Sequence, residues 1–152
     1  MQAWRRALII TVLGTALGAP AAGAGADARG ELAYNAGMRA IQQQDWSGAI
    51  NRLESAIVFD PGNADAFERL GFAYFQLGRW DKALKYLRIA LEIEPNHTAA
   101  LSRHGLASLS AGQVDAAKSD LQRLSRKCGA GCAAHDELQR AIDSHRARAA
   151  RD

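Results

Sequence analysis

The sequence lacks the motifs that usually mark an enzyme. It has no glycine-rich phosphate loop, no strand-to-helix nucleophile elbow and no zinc-protease helix. Cysteine is scarce: the 152 residues contain two, Cys128 and Cys132. Charge of one sign is not in large excess, with 19 basic side chains against 16 acidic ones. Two of the basic residues, Arg5 and Arg6, lie in the first 26 positions, which hold no acidic residue. The remainder therefore carries seventeen basic and sixteen acidic groups, a net charge of +1. That balance gives no electrostatic case for a nucleic-acid partner. No low-complexity linker divides the chain. Asp60, Asp81 and Glu94 fall at turns or helix ends. His97 falls in a turn, and His104 reads as a partly buried, hydrogen-bonded side chain. No catalytic activity, cofactor or resident metal is expected.

What is present is a period of 34 residues. Gly37, Gly71 and Gly105 keep this step, as do Ala49, Ala83 and Ala117, and Leu53, Leu87 and Leu121. Ala56 and Ala90 keep it, and so do Pro61 and Pro95, and Trp46 and Trp80, with Val114 in the third slot. A period of this length marks a stacked-repeat architecture. Within one period, Phe67, Leu70, Tyr74 and Leu77 recur at helical spacing. Gly78-Arg79 breaks the pattern. Trp80, Ala83, Leu84, Leu87, Ala90 and Leu91 then form a second helical face. Pro95 ends that helix and disfavours helical geometry at Glu94. The small residues Gly71 and Ala83 predict close approach of two antiparallel helices. One such hairpin cannot bury its apolar face alone, and about three are needed for a stable stack.

The run Phe67-x2-Leu70-Gly71-x2-Tyr74, followed by Ala83, Leu87, Ala90 and Pro95, resembles the tetratricopeptide repeat (TPR). The resemblance covers residues 30–131 as three repeats, 30–63, 64–97 and 98–131. The first has Ala33 at the early aromatic position. The third has Leu124 in place of the last small alanine and Gly129 in place of the proline. The resemblance implies an all-α solenoid of three helix-turn-helix repeats. Residues 133–148 read as a C-terminal capping helix with Leu138, Ala141, Ile142 and His135 on its inner face. The repeat domain thus spans 27–148, with a flexible lead-in at 27–30 and a disordered tail at 149–152.

Residues 1–26 have a different character. Arg5 and Arg6 precede a short apolar run, Ala7–Leu17, which Pro20 ends. Ala22-Gly23-Ala24 and Ala24-Gly25-Ala26 are candidate cleavage sites. This is the pattern of a secretory signal peptide, and the run is short for a bilayer span. No cysteine follows it to carry a lipid. The expected location is the periplasm, with no integral membrane span after cleavage.

In an exported chain an even cysteine count argues for a disulfide. Cys128 and Cys132 enclose Gly129-Ala130-Gly131, whose glycines permit a tight loop. The bridge would pin the cap to the last repeat and contribute about 2 kcal/mol, because the closed loop is short. Two other chemistries remain open for this spacing. One is a copper site made with His135, since Cu(I) favours thiolates. The other is a redox-active dithiol.

The family resemblance also implies where binding occurs, because the first helix of each TPR lines a groove. The matching positions are Tyr34, Met38 and Ile41; Glu68, Phe72 and Phe75; and Ser102, Leu106 and Leu109. Met38, Phe72 and Leu106 form one row in register, and Ile41, Phe75 and Leu109 a second. Arg69 and Arg103, in register with Asn35, are placed to meet a partner carboxylate. The chaperone-binding subclass uses a lysine and asparagine clamp. Here Tyr34, Met38, Phe72, Ser102 and Leu106 occupy the matching positions, which argues against chaperone tails as partners. The expected function is a periplasmic scaffold or adaptor for a protein or peptide, within an envelope assembly or maturation pathway. It would act as a monomer or as a component of a complex. The alternative is a copper- or thiol-handling factor using Cys128, Cys132 and His135.

Overall fold

The computed structural model describes residues 22–151, and the first 21 positions of the expected signal peptide lie outside them. The described residues form seven helices and no strand: α1 (Ala22–Gln42), α2 (Trp46–Phe59), α3 (Ala64–Gln76), α4 (Trp80–Ile93), α5 (Thr98–Ser110), α6 (Val114–Lys127) and α7 (Ala133–Ala149). Helices α1/α2, α3/α4 and α5/α6 pack as pairs, α2 lies on α3, and α4 on α5. The first helices also touch along the stack, α1 with α3 and α3 with α5. No such contact joins α2 with α4 or α4 with α6 among the described residues. The stack therefore curves, with its first helices on the inner side.

The turns repeat as the sequence does. Asn63 caps α3 by accepting from the Ala66 N–H at 2.9 Å. His97, one period later, caps α5 by accepting from the Ala100 N–H on Nδ1 at 3.3 Å. That acceptor role places the ring proton on Nε2, which donates to Asp65 Oδ1 at 2.9 Å. Inside each pair the chain reverses through one left-handed residue. Gly78 (φ 68°) and Gly112 (φ 77°) fill that slot in the second and third pairs, and Gln44 (φ 56°) fills it in the first.

Close approach of the paired helices rests on the periodic glycines. A Cβ on Gly37 would lie 2.7 Å from Leu53 Cγ, and one on Gly71 would lie 2.6 Å from Leu87 Cγ. Both leucines are fully buried. Tyr74 extends the packing across repeats, donating its hydroxyl to Glu54 Oε1 at 2.9 Å and stacking on Tyr86. Burial and the Glu54 carboxylate push the Tyr74 phenol up to about 12.

The third pair departs from this scheme. Above Gly105 the nearest atoms belong to Leu138 of α7, 2.5 Å from an added Cβ. Leu121, the periodic leucine, is only half-buried. The buried positions of α6 are instead Ala117, Asp120 and Leu124. Asp120 is held by His104 Nδ1 at 2.6 Å. The carboxylate that α6 turns inward is thus paired by His104 and, at 3.6 Å, by Arg123 Nη1. Cys128 and Cys132 are joined across the α6–α7 link, with Cα atoms 5.8 Å apart. Gly129 (φ 72°) and Gly131 (φ 92°) supply the left-handed steps that the short loop requires. His135 Nδ1 lies 3.0 Å from Asp136 Oδ1, which also accepts from the Gly131 N–H. These bonds hold the Asp136 carboxyl below its ordinary range.

Two boundaries differ from expectation. Residues 27–30 are helical, within α1. Gly30 sits against Phe59 and Asp60, and the Arg29 guanidinium lies 6.0 Å from the centre of the Phe59 ring. These contacts with the end of α2 give that turn a packing partner. At the other end α7 continues through Ala149.

A mid-helix glycine normally costs about 0.5–1 kcal/mol relative to alanine, so replacing it should stabilise an open site. At Gly71 the sign reverses, because even a methyl group must displace Leu87. Gly71→Leu should cost at least about 1–3 kcal/mol, the usual overpacking range. Thermal unfolding would check this, and a variant as stable as the parent would refute the close contact.

Candidate binding groove

The inner row of helices gathers aromatic and charged groups around Phe72. The ring of Phe72, on α3, meets the edge of Trp46 from α2 with centroids 5.7 Å apart and planes 86° apart. The Arg103 guanidinium, from α5, lies 4.3 Å from the centre of the same ring. One half-buried phenyl ring thereby joins all three repeats. Edge-on aromatic pairs and cation–π contacts of this kind each contribute about 0.5–1.5 kcal/mol.

Glu68 lies one helical turn before Phe72 and is fully buried. Its carboxylate pairs with Arg69 Nε at 3.3 Å and with Arg103 Nη1. Two guanidiniums therefore share one carboxylate. Burial pushes the Arg103 guanidinium down from its usual value, and the Glu137 carboxylate of α7 opposes that shift. Glu137 also accepts from the Ser102 hydroxyl at 3.1 Å. The arginines keep about a quarter of their side-chain surface in solvent, 28% for Arg69 and 21% for Arg103.

The sequence-selected residues divide into three groups. Tyr34, Met38, Ile41, Phe72, Phe75 and Leu106 are half-buried, and so have surface to offer. Glu68, Ser102 and Leu109 are buried. Glu68 serves as the counter-ion of the arginines and presents nothing to solvent. Phe75 spends part of its ring on Trp80, 5.1 Å away. Arg69 and Arg103 are brought together, but on an internal carboxylate. Trp46 and Glu137 were not selected from the sequence. In the sequence Trp46 marks the period, and Glu137 lies on the cap, outside the repeats. Cys128 and Cys132 are bonded to each other, which leaves no thiolate for a metal. Among the described residues no group of three or more His, Cys, Asp or Glu side chains is arranged to hold an ion.

A surface concavity of 630 Å³ lies elsewhere, at the α3–α4 turn with Gly78, Arg79 and Trp80. Much of its lining is turn and charged side chain, without the convergent aromatic and guanidinium groups of the inner row. We therefore take the inner row as the site.

Residues 40–103 match the family model described as the tetratricopeptide repeat. The chain contains a tetratricopeptide repeat region. Its fold is a TPR solenoid of three helix-turn-helix repeats with a C-terminal helix. The first TPR of Spaghetti (RPAP3), solved with the HSP90 peptide SRMEEVD, is 22% identical with a TM-score of 0.71, covering 78% of this chain and 94% of that one. The Arabidopsis OM64 TPR domain is 20% identical with a TM-score of 0.74, covering 80% and 99%. The TPR2B domain of yeast Sti1, solved in complex with pHsp70, is 20% identical with a TM-score of 0.73, covering 80% and 98%. No curated protein matches the sequence significantly.

Glu68→Gln should leave two half-buried guanidiniums without their shared, fully buried counter-charge. Breaking a buried pair in this way costs about 3–5 kcal/mol. Arg69→Gln, which preserves the Glu68–Arg103 pair, should cost clearly less. Urea unfolding of both variants would order them, and equal losses would show that the cluster does not depend on the carboxylate.

Proposed function

We propose that this TPR protein is a periplasmic adaptor that binds a protein or peptide segment along its inner face, in the assembly or maturation of envelope proteins. The observation that carries the binding reading is Phe72. A scaffold needs apolar groups between its helices, but Met38, Phe72 and Leu106 keep surface on the curved inner side. A half-buried aromatic ring held between Trp46 and Arg103 is a preorganised anchor. Such anchors often dominate interfaces. The TPR domains of Spaghetti and Sti1 were solved with HSP90 and Hsp70 ligands, which supports peptide recognition as the use of this architecture. The clamp positions here are largely apolar, and the arginines are committed to Glu68. The favoured ligand is accordingly one with apolar side chains, rather than an acidic chaperone tail. No activity as an enzyme is part of this reading.

The location rests on the first 26 residues, with Arg5 and Arg6 ahead of a short apolar run and small-residue cleavage candidates. A single disulfide suits an oxidising compartment. The copper- or thiol-handling alternative has no structural observation in its favour while the two sulfurs are joined.

Phe72→Ala should weaken capture of a partner from periplasmic extract at least about tenfold, the equivalent of about 1.4 kcal/mol. Helicity should be unchanged, and affinity is to be measured on the folded fraction. A large stability loss with binding retained would make Phe72 a core residue and remove the anchor. For the location, residues 1–26 fused to alkaline phosphatase should yield active enzyme outside the cytoplasm. An inactive, uncleaved fusion would overturn export.

A further inference from the structure

At the end of the inner face, α7 closes a small pocket that the repeat pattern does not contain. Phe75 of α3 and Leu106 and Leu109 of α5 line it together with Ala141 of α7. Ser110 of α5 and Ser144, His145 and Arg148 of α7 complete the lining. The volume is 280 Å³. That is below the range of about 300–1,000 Å³ usual for drug-sized ligands, and it suits a single side chain. Among the described residues, neither His145 nor Arg148 has an ion pair or a side-chain hydrogen bond. Arg69 and Arg103, by contrast, are both spent on Glu68. The uncommitted guanidinium of the inner face thus stands beside an apolar pocket.

The geometry points to a subsite for the C-terminus of a peptide that ends in an apolar residue. Phe75, Leu106, Leu109 and Ala141 offer carbon surface to an aliphatic side chain. Arg148 offers a planar, charged fork, the geometry that matches a carboxylate through two parallel hydrogen bonds. His145 adds a ring donor. In a peptide, only the last residue carries an apolar side chain and a carboxylate on the same Cα. An internal Asp or Glu would bring its carboxylate without the apolar group, and an internal Leu the reverse. The subsite rests on the groove reading above and deepens it, by fixing which end of the ligand meets α7.

The test uses the oxidised, isotope-labelled protein and three small probes followed by amide chemical shifts. N-acetyl-leucine carries both features, N-acetyl-leucinamide lacks the charge, and octanoate offers a carboxylate on a lipid-like chain. N-acetyl-leucine should give saturable shifts at Leu109, Ala141 and His145. The amide should bind at least about fivefold more weakly, the loss expected when a charged hydrogen bond is removed. Arg148→Gln should abolish the difference between acid and amide, and it should leave the unfolding temperature unchanged because Arg148 is exposed. Equal binding of acid and amide, or no saturable shift at these residues, would overturn the subsite. Tighter binding of octanoate would overturn the peptide assignment in favour of a lipid acid. If the subsite fails while partner capture still depends on Phe72, the groove reading stands without it. If capture is indifferent to Phe72, that reading fails whatever the probes do.

Discussion

The contact between a glycine on one helix and a leucine on its neighbour governs this structure. In the first two pairs that distance leaves no room for a methyl group. Everything else in the pair follows from the approach. The alanines at 49 and 83 are fully buried because the helices are close, and the leucines between them have no alternative space. A bulkier interface would separate the helices and change their crossing. The inner row would then lose the α1–α3 and α3–α5 contacts that produce its curvature. The shape of the inner face is therefore downstream of a packing rule within each repeat.

The charged cluster obeys a different logic. A buried carboxylate is costly unless paired and hydrogen-bonded, and a buried pair is weak evidence for stability. Glu68 sits where a TPR groove usually meets its ligand, yet it faces inward to two arginines. The arrangement orients Arg103 over Phe72 and so fixes the ring against Trp46. The charge serves position more than attraction. This explains why the inner face can be apolar in the middle while three of its residues carry formal charge.

Much of the fold was legible in the sequence because its packing is periodic. Gly71, Leu87 and Pro95 each recur at the step that their structural role requires, and pattern alone placed six helices. The cap could be placed but not docked. Leu138 belongs to no repeat, so nothing in the spacing indicated that it would take the place over Gly105. The lead-in at 27–30 is helical for a similar reason: no repeat position marks it, and Gly30 lets α1 pass close to Phe59 and Asp60. At the inner face, register groups Met38, Phe72 and Leu106, and all three are half-buried. Register could not reveal burial, which depends on neighbours from other repeats. Glu68 is the clearest case: its partner Arg103 lies 35 residues away, on a helix that only the fold brings near.

The leucine of α7 over Gly105 also bears on how such an array can lengthen. In the first two pairs the glycine finds its leucine inside the same unit, so each unit carries its own closure. In the third, the nearest closing leucine is supplied from outside, by α7. A duplicated unit inserted ahead of the third would keep every glycine supplied. One appended after the third would take α7 away from Gly105 and leave the half-buried Leu121 to fill the gap. The chain is therefore extensible from within and closed at its end.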